Sequence, residues 1–136
     1  MKISAEKYIV TPELKTLSAY RAFAQKAVKN GAECLEYRFS GKLPRVEKAK
    51  IAVELKRICG KNKVFFFVRD EAPLAFYCRA DGVCVESGML DVLPIEVIRK
   101  IAVILERKKF LIGIALKNKA QNRKAQVLKP DFIREG

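Results

Sequence analysis

A cluster of charged residues follows directly on a short apolar run near the middle of the chain. Phe65 to Val68 is continuously apolar, and Arg69, Asp70 and Glu71 come immediately after it. The sequence contains no histidine, which removes the commonest general acid or base near neutral pH. Any chemistry must therefore use carboxylates, lysine, tyrosine, cysteine or a bound metal ion.

Four cysteines, Cys34, Cys59, Cys78 and Cys84, are spread along the chain without a C-x-x-C pair. That spacing, together with the absence of histidine, argues against the usual zinc sites. We expect reduced and mostly buried thiols. A nucleophilic role for Cys84 is the lesser alternative, because no histidine is available to act as its base.

Short apolar runs alternate with segments of helical spacing along the 136 residues, which are enough for one domain. The predicted strands are 7–11, 33–39, 63–68, 81–87, 110–116 and 130–136. The predicted helices are 17–30, 45–60, 72–79, 94–108 and, more weakly, 119–128. Thr16 or Ser18 is a candidate cap of the first helix, and Gly60 a candidate stop of the second. The alternation predicts an α/β fold with a parallel sheet, either a barrel or an open sheet.

In either architecture the functional edge lies where strands pass into helices. The residues at these junctions are Thr11, 38–42, 69–70, 86–91 and 117–118. Two structural roles compete with a site at this edge. Asp70 is a good N-cap for a helix that begins near Ala72. Glu36 and Arg38, two residues apart on one strand, could neutralise each other.

The net charge of +13 favours anionic partners such as phosphorylated small molecules or nucleic acid, and a solvated lysine-rich surface is the alternative. A nucleic-acid role would use the basic segment 117–129, but the tail offers only Phe132 for base stacking, so nucleic acid is a weak candidate. No apolar run approaches the roughly 20 residues of a membrane span. We expect a cytoplasmic protein without membrane contact.

Four stretches resemble the thiamine-phosphate synthases and the related TenI-like thiazole tautomerases. "GAECLEYRFSGK" is similar to the second-strand segment of that family, and "VFFFVRDEAPLAFYCRADGVCVES" to its third and fourth strands. "LIGIALKN" resembles the fifth strand and "PDFIREG" the sixth. The order and spacing of these stretches carry the resemblance more than any one motif does.

The resemblance implies a (β/α) TIM-barrel fold and a transferase of thiamine biosynthesis. The synthase joins a pyrimidine pyrophosphate to a thiazole phosphate, and Mg²⁺ held by aspartates bridges the pyrophosphate. The whole chain, 1–136, would form one such domain that lacks the last two strands. The predicted fold is therefore an incomplete barrel of about five to six parallel strands.

The resemblance also assigns residues. Candidates for binding substrate or phosphate are Glu36, Arg38, Lys42, Arg69, Lys117 and Asn118, and candidates for holding Mg²⁺ are Asp70 and Asp91. Several of them depart from the family pattern. Glu36 replaces a glutamine, Arg69 an asparagine and Lys117 a histidine. Such replacements suggest that internal salt bridges occupy part of the pocket.

Two functional hypotheses follow. The first is a synthase-like protein that binds a phosphorylated pyrimidine or thiazole with Mg²⁺ at the carboxyl ends of the strands. The second is a catalytically inactive binding or regulatory protein on the same scaffold. The open edges of an incomplete barrel are a liability, so we expect a homodimer in either case, with a cover by the basic tail or a rearranged open sheet as the alternatives.

Overall fold

Strands and helices alternate throughout the computed structural model, which describes residues 4–39, 41–89 and 94–135. The strands are β1 (Tyr8–Val10), β2 (Cys34–Tyr37), β3 (Phe65–Arg69), β4 (Gly82–Glu86), β5 (Leu111–Leu116) and β6 (Phe132–Glu135). The helices are α1 (Leu17–Lys29), α2 (Arg45–Lys61), α3 (Ala72–Tyr77), α4 (Ile95–Ile104) and α5 (Asn122–Val127). The alternation predicted from the sequence is confirmed.

All six strands are parallel, and each pairs with its neighbour in sequence, in the order β1 to β6. Right-handed crossovers in an order that never reverses place every helix on the same face of the sheet. This is the arrangement of a β/α barrel, and a doubly wound sheet would instead reverse its strand order.

The sheet is strongly curled, as the contact between side chains of its two edge strands shows. The rings of Tyr8 on β1 and Phe132 on β6 lie 5.9 Å apart, centroid to centroid. In a flat sheet five strand spacings would separate β1 from β6 by roughly 24 Å. Phe67 on β3 joins the same cluster, 5.0 Å from Phe132 and 6.0 Å from Tyr8. The six strands thus enclose part of a barrel interior, which confirms the incomplete barrel-like fold.

The two faces of the sheet differ in chemistry, as the two-residue period of a strand requires. The outward face packs against the helices and forms the apolar core, with side chains such as Leu35, Phe66, Val83 and Ile114. The concave face carries the aromatic cluster and a set of charged side chains. The core therefore lies between sheet and helices, and the polar groups lie inside the curl.

Two aspartates tie the amino ends of the strands together in the same way. Asp81, before β4, accepts the N–H of Phe66 at 2.8 Å and donates its own N–H to the Phe66 carbonyl. Asp131, before β6, makes the same pair of hydrogen bonds with Ile112, both at 2.7 Å. Asp81 belongs to one of the four stretches that resemble the family, and it has a structural role at the end of the sheet opposite the predicted site.

The helix ends agree only partly with the sequence signals. Thr16 caps α1, since its Oγ1 accepts the N–H of Ala19 at 3.1 Å. The predicted stop at Gly60 is wrong, because α2 continues to Lys61. Asn62 follows as the C-cap, and its side-chain amide donates to the Ile58 carbonyl at 2.8 Å. Among the described residues no helix has the length and apolar character that a membrane crossing requires.

Gly113 on β5 makes room for the aromatic cluster and provides a test of the curl. A Cβ at this position would lie 2.1 to 2.5 Å from ring atoms of Phe132. We expect Gly113→Ala to displace that ring from Tyr8 and Phe67, and to lower the free energy of unfolding by about 1–3 kcal/mol in urea denaturation.

Gly60→Ala is the control for this substitution. Gly60 lies inside α2, and an added Cβ there meets no atom within 4 Å. Alanine should therefore raise the free energy of unfolding by about 0.5–1 kcal/mol. If Gly113→Ala raised the free energy of unfolding as much as Gly60→Ala, the position of the Phe132 ring would not depend on the space at Gly113.

Candidate functional site

A cavity of about 510 Å³ opens at the carboxyl ends of the first strands. Three residues predicted from the sequence, Arg38, Arg69 and Asp70, line it together. The full lining is Glu13, Arg38, Phe39, Arg69, Asp70, Glu71, Pro73, Glu86 and Met89. The edge at which strands pass into helices is thus concave and charged.

Carboxylates outnumber cations in this cavity although the chain as a whole is strongly basic. Its lining contains two arginines and four carboxylates. An anionic ligand that entered alone would meet repulsion from this surplus of negative charge. A cationic ligand, or an anion accompanied by a divalent cation, suits the cavity better.

Asp70 is held in an uncommon backbone conformation at the floor of the cavity. Its φ of 60° lies in the left-handed region, which aspartate tolerates better than most residues do. Its Oδ1 accepts the N–H of Glu86 at 2.8 Å, and its own N–H donates to the Cys84 carbonyl. The predicted N-cap role is wrong, since Glu71 precedes α3 without any side-chain cap bond.

The carboxyl group of Asp70 is easier to protonate than usual. Burial raises its pKa most, and the hydrogen bond from the Glu86 amide and the charge of Arg69 oppose that effect only in part. The neighbouring carboxylates of Glu86 and Glu36 raise the pKa further. Among the described residues none donates a hydrogen bond to Oδ2, whereas Oδ1 accepts the Glu86 amide.

Glu36 lies beneath the cavity at the centre of a buried ionic network. It has no solvent exposure. Its Oε2 accepts from Nε of Arg69 at 2.6 Å and from Nη2 of Arg134 at 2.8 Å. Its Oε1 accepts from the Tyr8 hydroxyl at 2.5 Å and also from Arg134. Strands β1, β2, β3 and β6 are therefore joined through one carboxylate.

The charge of Glu36 is maintained by these partners. Burial alone would raise the pKa of this carboxyl group. The charges of Arg134 and Arg69, together with the hydrogen bond from Tyr8, outweigh burial and hold the pKa below its ordinary value. Glu36 is consequently an ionised acceptor that is already occupied by protein donors.

The predicted pairing of Glu36 with Arg38 is wrong, although the expectation of internal salt bridges is confirmed for Glu36 and Arg69. Arg38 follows the last residue of β2, and its exposed side chain lines the cavity. Its backbone is fixed by Thr11, whose Oγ1 accepts the Arg38 N–H and donates to the Arg38 carbonyl, both at 2.9 Å. The loop after β2 is thereby attached to the end of β1.

The remaining predicted residues lie around the rim or elsewhere. Lys117, at the end of β5, places Nζ 3.7 Å from Oε1 of Glu86. Asn118 accepts the N–H of Gln121 in the turn that follows. Lys42 is exposed in the segment between β2 and α2 and is not part of the cavity lining. Asp91 lies outside the described residues.

Metal ligands do not cluster in the part of the chain that the structure describes. No group of three or more histidine, cysteine, aspartate or glutamate side chains there has a geometry suited to a metal ion. Asp70 contributes a single carboxylate. A metal ion at this cavity would need ligands from a bound phosphate, from water or from residues beyond the described ranges.

Sequence reasoning missed Tyr8 and Arg134, both of which contact Glu36. The signal for Arg134 was present in "DFIREG". If Ile133 faces the helices, then Phe132 and Arg134 must both face the interior. A cation pointing into a barrel interior needs an anion there, and Glu36 is the buried one.

The four cysteines are free and buried, as expected. Burial raises the pKa of Cys34 to about 12 and that of Cys78 to about 11. The pKa of Cys84 is also raised, first by burial and then by the neighbouring Glu36. A thiol in that environment stays protonated at neutral pH, so the structure gives no support to Cys84 as a nucleophile.

A protein family described as thiamine monophosphate synthase matches residues 7–136. The chain belongs to this family. Among relatives, thiamine-phosphate synthase 1 of Streptococcus pneumoniae is 30% identical over 114 residues, which are 82% of this chain and 51% of the relative. The thiamine-phosphate synthase of Persephonella marina is 33% identical over 128 residues, which are 93% of this chain and 57% of the relative.

This chain spans about half the length of the curated relatives it matches. A thiamine phosphate pyrophosphorylase from Pyrococcus furiosus superposes with a TM-score of 0.74 at 24% identity. The match covers 95% of this chain and 58% of that one. This likeness establishes a shared fold.

The buried network provides a test of how much the interior depends on charge balance. We expect Glu36→Gln to lower the free energy of unfolding by about 3–5 kcal/mol, because it leaves Arg69 and Arg134 without their counter-charge. The measurement is chemical denaturation at pH 7. The loss should shrink as the pH falls below roughly 4, because Glu36 of the unfolded wild-type chain takes up a proton there while the folded protein still resists it.

This pH dependence follows from the lowered pKa of Glu36. The ionised carboxylate stabilises the fold above the pKa it has in the unfolded chain, and this stabilisation is lost as the pH falls through the pKa of the folded protein. Glu54→Gln is the control. Glu54 also bonds to two arginines, Arg57 and Arg21, which lower its pKa to about 2, but the side chains of these arginines are 53% and 42% exposed. Its loss should cost less than about 1 kcal/mol. Similar losses in the free energy of unfolding for Glu36→Gln and Glu54→Gln would contradict a special role for burial.

Proposed function

We propose that this chain acts in thiamine biosynthesis as a thiamine-phosphate synthase-like protein, and that it binds a phosphorylated pyrimidine or thiazole. Membership of the family supports this proposal. The observation that carries it is the convergence of Arg38, Arg69 and Asp70 on one cavity at the predicted edge. A cytoplasmic location belongs to the same proposal.

Arg38 and Arg69 are the proposed phosphate-binding groups. A guanidinium presents paired N–H donors that match two phosphate oxygens, and its charge strengthens both bonds. Arg69 is already oriented, since Glu36 holds its Nε. Lys117 and Asn118 at the end of β5, and Lys42 beyond β2, would add positive charge or hydrogen bonds at the rim.

Mg²⁺ is the proposed cofactor, because the surplus of carboxylates makes the cavity unsuited to an unaccompanied pyrophosphate. Mg²⁺ takes few protein oxygens and fills its remaining positions with water and phosphate oxygens. Asp70 fits this requirement, because it lines the cavity and no described residue donates to its Oδ2, and Asp91 is the second proposed ligand. When bound, the metal would neutralise charge on a departing pyrophosphate.

A catalytically inactive binding or regulatory protein on the same scaffold is the second candidate. The observation that favours it is the network of Glu36, Arg69 and Arg134, which fills part of the interior with ion pairs. Arg69 contributes to that network and to the cavity at once. A protein of this kind would bind a phosphorylated ligand without converting it.

Asp70→Asn separates the charge of this residue from its structural role. Asparagine tolerates the positive φ and keeps an oxygen acceptor for the Glu86 amide. We expect calorimetry to show that the wild-type protein binds pyrophosphate only with Mg²⁺. The variant should lose at least about tenfold in affinity, or about 1.4 kcal/mol, because the metal loses its carboxylate.

The wild-type affinity should also rise with pH through the raised pKa of Asp70, because Mg²⁺ competes with the proton for that carboxylate. Glu13→Gln removes a carboxylate from the same cavity and serves as the control for charge alone. Absence of binding to pyrophosphate, thiazole phosphate and thiamine phosphate would contradict the proposal. Binding of a substrate pair without product formation would favour the inactive candidate.

We also propose that the chain is a homodimer formed through α4. Val97, Ile101, Ile104 and Leu105 have the spacing of one helical face, and each is at least 38% exposed. A second copy is the proposed occupant, because β1 and β6 leave the two edges of the described sheet unpaired, and an exposed apolar helix face beside open edges favours self-association.

Mass photometry should report the mass of two chains for the wild type and of one chain for Ile101→Lys, since a buried ammonium without a partner opposes association. Val46→Lys on α2 is the control, because Val46 is also exposed but lies on a different helix. A wild-type monomer, or a monomer produced equally by both variants, would contradict an interface on α4.

A further inference from the structure

The carboxylate of Glu86 lies between two cations that come from different strands. Glu86 is the last residue of β4. Its Oε2 is 3.8 Å from Nη1 of Arg69 at the end of β3, and its Oε1 is 3.7 Å from Nζ of Lys117 after β5. The carboxylate on β4 therefore links the ends of the two strands on either side of it, β3 and β5.

Both contacts are long for ionic hydrogen bonds. Charge-assisted N–H···O bonds between such groups have typical lengths of about 2.7–2.9 Å. The side chain of Glu86 is 32% exposed, so it can turn outward into solvent. Its backbone, in contrast, is fixed by the hydrogen bond from its N–H to Asp70. Glu86 thus holds a position between the cations without the short contacts that would keep it there.

The two cations differ in mobility, which is useful in a binding site. Arg69 is 12% exposed, and Glu36 fixes its guanidinium from below. Lys117 is 70% exposed, so its ammonium can follow a ligand. A rigid guanidinium and a flexible ammonium on either side of one anion form an arrangement that suits a phosphate group.

We propose that Arg69 and Lys117 form a phosphate-binding subsite that the Glu86 carboxylate occupies until a phosphate displaces it. The ligand class is a phosphomonoester or inorganic phosphate, whose oxygens can reach both cations at hydrogen-bonding distance. The inference rests on the proposed function, since it names the internal group with which a substrate phosphate competes. Glu86 thereby sets the affinity of the empty site for anions.

The test is a calorimetric titration with inorganic phosphate, without Mg²⁺ and at constant ionic strength. Glu86→Gln keeps the shape and the backbone amide of the residue but removes the competing charge. We expect its phosphate affinity to exceed that of the wild type by about five- to tenfold, as the loss of one like charge near 4 Å implies.

Two further variants separate displacement from a general effect of charge. Glu71→Gln removes another carboxylate of the cavity, one that pairs with Lys48 at 3.4 Å instead. Its affinity should change by less than about twofold. In the double variant Glu86→Gln with Lys117→Gln, the gain should disappear, because one of the two cations is missing.

The inference is overturned if Glu86→Gln binds phosphate no better than the wild type, if Glu71→Gln gains as much, or if the double variant keeps the gain. Thermal unfolding of each variant verifies that the protein is folded during the titration. None of these outcomes bears on Mg²⁺-dependent pyrophosphate binding and its loss in Asp70→Asn. The proposed function and this inference can therefore fail separately.

Discussion

The burial of one carboxylate, that of Glu36, is the constraint on which much of this structure depends. An ionised group without solvent must find its partners within the protein. Here they come from three other strands, as the phenol of Tyr8 and the guanidiniums of Arg69 and Arg134. Such partners can meet only if the sheet curls, and the curl in turn brings together charges that must balance. Curvature and charge balance are thus mutually dependent.

The same network determines the character of the cavity above it. Arg69 bonds to Glu36 with its Nε and faces the cavity with the rest of its guanidinium. Arg69, the proposed phosphate-binding cation, is therefore also a structural group. Its loss would remove one of the positive charges that balance the buried carboxylate of Glu36. Specificity at this site is accordingly linked to stability more tightly than in a cavity lined by exposed side chains.

Local signals were sufficient for the fold and for the edge at which the site lies. Hydrophobic periodicity acts over a few residues, so strands and helices follow from short windows, and parallel strands bring their junction residues together. The partners of Glu36 were not predictable in this way, because Arg134 is 98 residues away in sequence. The positive φ of Asp70 directs its side chain to Glu86 instead of to the helix it precedes, and no short window encodes that choice.

The aspartates that fix neighbouring strands and the charged groups of the cavity lie at opposite ends of the sheet. Asp81 stabilises the amino ends of β3 and β4 and lies far along the strands from the cavity. At the carboxyl ends, Arg38, Arg69 and four carboxylates line the cavity. A scaffold can therefore be shared while its ligand differs, because the bonds that fix strand order do not involve the groups that would bind a phosphate. Substrate identity in this chain must be decided at the cavity, where a carboxylate surplus and two arginines favour a phosphate accompanied by a divalent cation.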